Sequence, residues 1–307
     1  MKSSAMTPAL EIARELPPNG SSLKAAEEYT AQLAKRHYEN FTVATYLLPA
    51  KLRQHFYNIY AYCRWADELG DEIGDPAKSL ELLEWWRDEL RQCYAGDATH
   101  PVFVALRNTI KTFDIPISPF SDLVTAFCQD QKVRRYATWD GVLGYCQYSA
   151  NPVGRLVLYL GGYADAERQT LSDFTCTALQ LANFWQDVKR DLKKDRIYIP
   201  MDALGDCGLS ESDLFAHVFD DRYVRLMQIL VTRTREMFHK GLPLAQSLEP
   251  ALRIDIELFS RCGLAVLDAI ESIGYNTLQQ RPVLSSATKL KLLGRALADR
   301  ALTYVKR

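Results

Sequence analysis

From about residue 23 onward, apolar residues recur at spacings of three and four, while the period-two alternation of strands is hard to find. That periodicity dictates helices. The interruptions are short: Ala95 to Pro101 (AGDATHP), Ile115 to Ser121 (IPISPFS), Gly161 to Ala166 (GGYADA), Pro200 to Ser210 (PMDALGDCGLS) and Gln280 to Ser285 (QRPVLS). Each has the length and turn chemistry of a helix connection rather than of an interdomain linker, and no solenoid repeat is visible. The chain of 307 residues is therefore expected to form one all-α domain over residues 23–307. Residues 1–22 carry charges throughout and read as a flexible polar tail rather than a secretory signal.

A net charge of −1 gives no reason to expect a nucleic-acid partner. Seven cysteines, scattered singly, are assigned packing roles as reduced thiols of a cytoplasmic protein. No apolar run reaches the roughly 18 residues of a membrane-spanning helix, and no amphipathic anchor of convincing length stands out. Contact with the inner membrane surface stays open.

Within the helical pattern, Asp-x-x-x-Asp occurs twice, at Asp67/Asp71 and at Asp187/Asp191. Positions i and i+4 share a helix face with Cβ atoms roughly 5–6 Å apart, so each pair can share divalent ions. Tyr60 and Arg64 extend the first pair into a stripe about 60° wide, and Gln180 and Asn183 extend the second to about 80°. Alone, either motif is most often a solvated helix face; polar extension of both stripes on otherwise apolar helices is not. Unpaired carboxylates on one face repel, and Mg²⁺ compensates, since it takes hard oxygen ligands and leaves positions for substrate phosphates. If the two helices face each other, the stripes would hold a diphosphate between them. Asp67, Asp71, Asn183, Asp187 and Asp191 are the expected metal ligands. Glu68 is a further candidate, Glu72 is expected to be solvated, and Asp75 to mark the helix end.

Other metal sites fail on spacing. An EF-hand starting at Asp67 would need an oxygen ligand at Leu69 and glycine at Glu72, and a di-iron bundle would need two Glu-x-x-His motifs where only Glu236 to His239 qualifies. The five histidines lack zinc spacing, and no Gly-rich nucleotide loop is present, so NADPH is not expected.

These residues resemble the squalene and phytoene synthases, head-to-head prenyl synthases of the all-α isoprenoid synthase fold. HYENFTVATYLLP (His37 to Pro49) is similar to the family's opening segment, YAYCRWADELGD (Tyr60 to Asp71) to its first aspartate-rich motif and LQLANFWQDVKRDLKKDRIYIP (Leu179 to Pro200) to its second. GYCQYSANPVGRL (Gly144 to Leu156) is similar to the segment carrying a tyrosine near the reacting carbocation. The resemblance implies a single helical bundle around a central active-site cavity. It implies substrate contacts at His37, Asn40, Arg64, Gln180, Asn183, Arg190, Arg196, Tyr198 and Tyr275, with Tyr60, Arg64, Tyr145 and Phe41 acting at the reacting centre. It also implies two or three Mg²⁺ ions bound with the substrate diphosphate.

YSANPVG looks most like the bacterial hydroxysqualene synthases of the hopanoid route, which ionise presqualene diphosphate and capture the cation with water. Tyr148, Ser149 and Asn151 are the residues expected to position that water. The alternatives are a squalene or phytoene synthase condensing two prenyl diphosphates, or a non-catalytic prenyl-diphosphate-binding or scaffold protein. The oily substrate suggests peripheral membrane contact and neighbouring squalene-pathway enzymes as partners. Two positions depart from many relatives: Glu68 stands where Asp is common, and Gln186 precedes Asp187 where some carry Arg. Gln186 is expected to remove a diphosphate contact, for which Arg190 or the cluster Lys193, Lys194 and Arg196 could substitute.

Overall fold

The computed structural model describes residues 13, 16–37 and 49–305. Among them fourteen helices follow one another and no strand forms beyond an isolated parallel bridge between Arg135 and Ile197. The chain falls into two compact units, Met1–Lys132 with Tyr159–Gly162, and Val133–Leu158 with Tyr163–Arg307. No helix among the described residues is long and apolar enough to cross a membrane. Of the expected tail, residues 1–12, 14 and 15 lie outside the described residues, as do Asn40 and Phe41.

The first unit holds α1 (Leu23–His37), α2 (Ala50–Asp71), α3 (Pro76–Ala95), α4 (Pro101–Phe113) and α5 (Ser118–Asp130). Helix α2 packs against the other four. It buries Ile59, Tyr62, Trp65, Ala66 and Leu69, which cluster on one side of the helix by 100° steps. Tyr62 Oη donates to the Phe120 carbonyl at 2.8 Å, and Trp65 stacks on Trp86 at 5.4 Å with 10° between ring planes. Asn58, also buried, has both ends of its amide used: Oδ1 accepts from Thr30 and Gln54, and Nδ2 donates to the Ala105 carbonyl and Thr109. A fully paired buried amide specifies how α1, α2 and α4 meet, because any other arrangement leaves a polar group dry and unbonded.

Asp75 corrects the expectation that it ends the acidic helix. Helix α2 stops at Asp71, Gly74 turns the chain at φ 72°, and Asp75 accepts from the Ala77 and Lys78 amides with Pro76 behind it. It is thus the N-cap of α3, where a carboxylate satisfies amides that have no helical partner. Glu72 is exposed, as expected.

The second unit holds α6 (Trp139–Ser149), α7 (Asn151–Leu160, its last two residues in the first unit), α8 (Ala166–Lys193) and α9 (Met201–Asp206). Then come α10 (Glu211–Phe215), α11 (Asp221–Gly241), α12 (Pro243–Gln246), α13 (Pro250–Ser272) and α14 (Ser286–Val305). Helix α8 is its axis, packed by α6, α11, α12 and α13, while α14 lies on α13. Gly241 lets α11 reach α8: a Cβ there would stand 2.2 Å from Thr175 Oγ1 and 3.0 Å from the Thr175 backbone nitrogen. The stretch Pro200 to Ser210, read as a connection, contains the short helix α9. All seven cysteines are free thiols; burial pushes that of Cys146 up to about 12, so it is inert.

Two predictions test this packing. Gly241→Ala should cost about 1–3 kcal/mol by overpacking against an immovable backbone, read as a lowered denaturant midpoint with an unchanged slope. His100, 3% exposed and edge-on to Trp65, Trp85 and Trp86, accepts from the Val102 amide through Nδ1, and burial holds its pKa down at about 3. Its pKa is lower folded than unfolded, so the unfolded state binds the proton more tightly. Stability is full above the unfolded value near 6.5 and declines as pH falls toward about 3. His100→Asn, which keeps a capping oxygen, should flatten the pH dependence of the unfolding free energy in that window.

Candidate active site

Tyr60, Arg64, Asp67 and Asp71 lie on the side of α2 opposite its packed face, the centres of the two faces about 170° apart around the axis. Arg64 links the stripe to Glu68. Its Nη1 donates to Asp67 Oδ2 at 2.9 Å, while Nε and Nη2 donate to Glu68 Oε1 at 3.1 and 2.8 Å. Glu68 is 3% exposed and Asp71 is exposed, so the Glu68 carboxylate is engaged in holding Arg64. Three of the five guanidinium N–H groups are used, leaving two for a ligand. Burial raises the Asp67 carboxyl above the usual range, opposed by Arg64 and reinforced by Asp71. Burial likewise raises the Tyr60 phenol.

Gln180, Asn183, Asp187 and Asp191 are aligned along α8, with Asn183 exposed and the other three half-buried. The opposite face carries Ala178, Leu181, Trp185 and Leu192 into the core. Burial, then the neighbouring Asp187, pushes the Asp191 carboxyl up to about 7, against the pull of Arg196, Lys194 and Arg190. Asp191 and Arg196 line a small cleft together with Phe184 and Tyr198.

Asp187 carries a partner that sequence reasoning missed. Arg281 forks onto it, Nε to Oδ1 at 2.6 Å and Nη2 to Oδ2 at 3.1 Å, and Arg190 adds a longer ion pair at 3.5 Å. Arg281 reaches it because α13 ends in a turn at Gly274 and Tyr275, φ 61° and 64°, and Thr277 is bonded to Tyr223 at 2.8 Å. From there Gln279 to Pro282 straps across α8: Lys189 donates to the Gln279 carbonyl and Gln186 Nε2 to that of Pro282 at 2.7 Å. Gln186 Oε1 also accepts from Arg281 at 2.9 Å. The residue read as a lost contact therefore positions an arginine on the acidic face of α8. Nothing local signals this, because the two stretches are about 95 residues apart in sequence.

Tyr145, 4% exposed, packs in a ring cluster with Tyr136, Phe184 and Tyr198; the Phe184 and Tyr198 rings stack at 3.8 Å. One turn beyond Tyr145 on α6, Ser149 Oγ is shielded from solvent with no hydrogen-bond partner among the described residues. Asn151, buried at the start of α7, accepts from Thr177 at 2.8 Å, and Tyr148 is half-buried. Tyr275 sits in the turn after α13 with Glu271 and Arg235 as its charged neighbours. Arg190, Lys193 and Lys194 are exposed, and His37 closes α1.

The donor set suits Mg²⁺. Both stripes offer hard carboxylate oxygens, and the raised Asp67 and Asp191 carboxyls mark places where added positive charge is favourable. No three His, Cys, Asp or Glu side chains among the described residues gather into a metal cage. Phosphate oxygens and water would complete each coordination shell. Arg64→Lys, which cannot fork between two carboxylates, should cost about 1–3 kcal/mol by leaving buried Glu68 underbonded, measurable by chemical denaturation.

Comparison with known proteins places this geometry. The family model for squalene/phytoene synthase matches residues 34–288. Phytoene synthase of Arthrospira platensis is 30% identical over 285 residues, covering 89% of this chain and 91% of that protein. Among solved structures, squalene synthase HpnC from Alicyclobacillus acidocaldarius is 43% identical with a TM-score of 0.80, over 83% of this chain and 96% of that one. A dehydrosqualene synthase solved with a ligand shares the fold at 22% identity, TM-score 0.81, over 92% and 98% of the two chains. This chain belongs to the squalene/phytoene synthase family, prenyl diphosphate-utilising synthases of the all-α isoprenoid synthase fold.

Proposed function

We propose that this protein is a hydroxysqualene synthase: it ionises presqualene diphosphate and lets water capture the rearranged cation. The observation that carries this reading is Ser149, a shielded hydroxyl without a hydrogen-bond partner among the described residues, one helical turn from Tyr145. A buried hydroxyl in that state can hold a water, and a water held beside the aromatic cluster is the nucleophile this product requires. The 43% identity to squalene synthase HpnC, against 30% to a phytoene synthase, supports the squalene side of the family.

In this reading Asp67 and Asp71, and separately Asn183, Asp187 and Asp191, hold Mg²⁺ against the diphosphate. When bound, the ions supply Lewis-acid neutralisation of the leaving group. The two free N–H groups of Arg64 bond the departing diphosphate, Glu68 fixing the guanidinium meanwhile. The substrate C–O bond breaks with its electron pair leaving on oxygen. The family motifs give Tyr60, Phe41 and Tyr145 the role of stabilising the cation by their π faces in this proposal, and the closed packing of Tyr145, Phe184 and Tyr198 keeps bulk water from Tyr145. Ser149 Oγ orients the single water that forms the new C–O bond, and its proton passes to diphosphate. His37, Asn40, Gln180, Arg190, Arg196, Tyr198 and Tyr275 serve substrate binding in the same proposal.

The phytoene synthase relatives favour one second reading, condensation of two prenyl diphosphates. Purified protein with Mg²⁺ should convert presqualene diphosphate to hydroxysqualene without NADPH; product made only from farnesyl or geranylgeranyl diphosphate would replace this reading with the second. Asp67→Asn and Asp187→Asn should each lower turnover by about a hundredfold or more with melting near wild type. Ser149→Ala should lower the hydroxysqualene share of total product while diphosphate release continues.

A further inference from the structure

The contacts that α6 and α7 make with α8 fix a register. On α6, Trp139 stacks on Trp185 with ring centroids 6.3 Å apart, and Tyr145 meets Phe184 at 6.1 Å. On α7, Asn151 accepts from Thr177 at 2.8 Å, and Arg155 forks onto Asp173, Nε to Oδ1 at 3.0 Å and Nη2 to Oδ2 at 2.6 Å. Gly154 permits that approach, because a Cβ there would overlap Ser172 Oγ and Cys176 Sγ. Residue numbers rise along α6 and α7 while those of their partners on α8 fall, so the packing is antiparallel.

Ser149 stands between Tyr145 and Asn151, and Gln180 between Phe184 and Thr177, so the same two contacts bracket both. By 100° steps Ser149 is about 40° around α6 from Tyr145. Gln180 is about 40° around α8 from Phe184 and about 60° from Thr177. Each therefore lies on the side of its helix that faces the other. Gln180 is half-buried, and Ser149 Oγ, shielded from solvent, has no partner among the described residues, so the hydroxyl and the amide do not bond directly to each other. Two polar side chains set opposite one another and left unjoined are the two walls of a water site.

We propose that Gln180 is the second holder of the capturing water, opposite Ser149, and that the Asn151–Thr177 hydrogen bond sets the gap between them. Donating its hydrogens to Ser149 Oγ and Gln180 Oε1, the water keeps a lone pair for carbon. The new C–O bond forms from that pair, and the proton released ends on diphosphate. Gln180 is seven residues from Asp187 along α8, about 10 Å, which puts the water at the hydrocarbon end of the acidic stripe. Asn151 is a positioning residue, its oxygen spent on Thr177 and not on the water. The inference rests on the hydroxysqualene reading and adds to it the residues that set the product.

A high-resolution crystal structure of the full chain should show one ordered water within about 3.2 Å of both Ser149 Oγ and the Gln180 amide. No water between them, or the two side chains bonded to each other, would overturn the proposal. With presqualene diphosphate and Mg²⁺, Gln180→Leu should lower the hydroxysqualene share of total product about fivefold or more, as expected for one lost hydrogen bond, with hydrocarbon formed by proton loss in its place. Because the two side chains hold one water, Gln180→Leu combined with Ser149→Ala should lower the share no further than the more severe single change, whereas independent effects would multiply. Thr177→Val, which strips the donor from Asn151, should shift the share the same way, and Thr177→Ser should restore it. The Thr177 pair and the crystallographic water keep the test decisive if Gln180→Leu does not fold. An unchanged share in Gln180→Leu, or multiplied losses in the double variant, would overturn this inference and leave the hydroxysqualene reading standing. Wild-type protein that makes no hydroxysqualene would overturn both.

Discussion

Two carboxylates held one helical turn apart repel each other, and both acidic stripes of this protein persist because arginines are built against them. On α2 the cation is local: Arg64, three and four residues before its partners, spans Asp67 and Glu68. On α8 it is remote, Arg281 arriving on a strap that Gln186 and Lys189 hold in place. In each unit the opposite side of the same helix is packed with tryptophan and aliphatic side chains, so the acids cannot rotate inward. Core packing and charge placement are therefore one constraint: the buried face fixes the helix, and the helix fixes where the carboxylates stand.

Much of this was legible in the sequence. Helical periodicity places both Asp-x-x-x-Asp pairs, with their polar extensions, opposite the apolar face without knowledge of any neighbour, and the family motifs are local strings. What escaped depends on contacts distant in sequence. Gln186 read as the loss of an arginine, yet its amide is what brings Arg281 to Asp187. Asp75 read as the close of one helix because capping a start and ending a stop use the same residue types; only the amides that it accepts from decide between them.

The aromatic cluster around Tyr145 adds a chemical constraint. Rings stacked as closely as Phe184 on Tyr198 leave no room for loose solvent, so any water beside them must be held by a named polar atom. Asn151 has its oxygen taken by Thr177, whereas the Ser149 hydroxyl has no hydrogen-bond partner among the described residues. In the proposed function, control of product would reduce to the placement of a single solvent molecule.

The path of the backbone through the two units has its own consequence. The chain leaves the first unit after Lys132, returns for Tyr159–Gly162 and leaves again, so three passages join the units instead of one. A protease nick at residue 132 would leave the N-terminal fragment short of four residues that complete it, still carried by the other fragment. The N-terminal half is therefore not a transferable module, and gene fusion or truncation at that boundary would sever the first unit where a linear reading sees a clean joint.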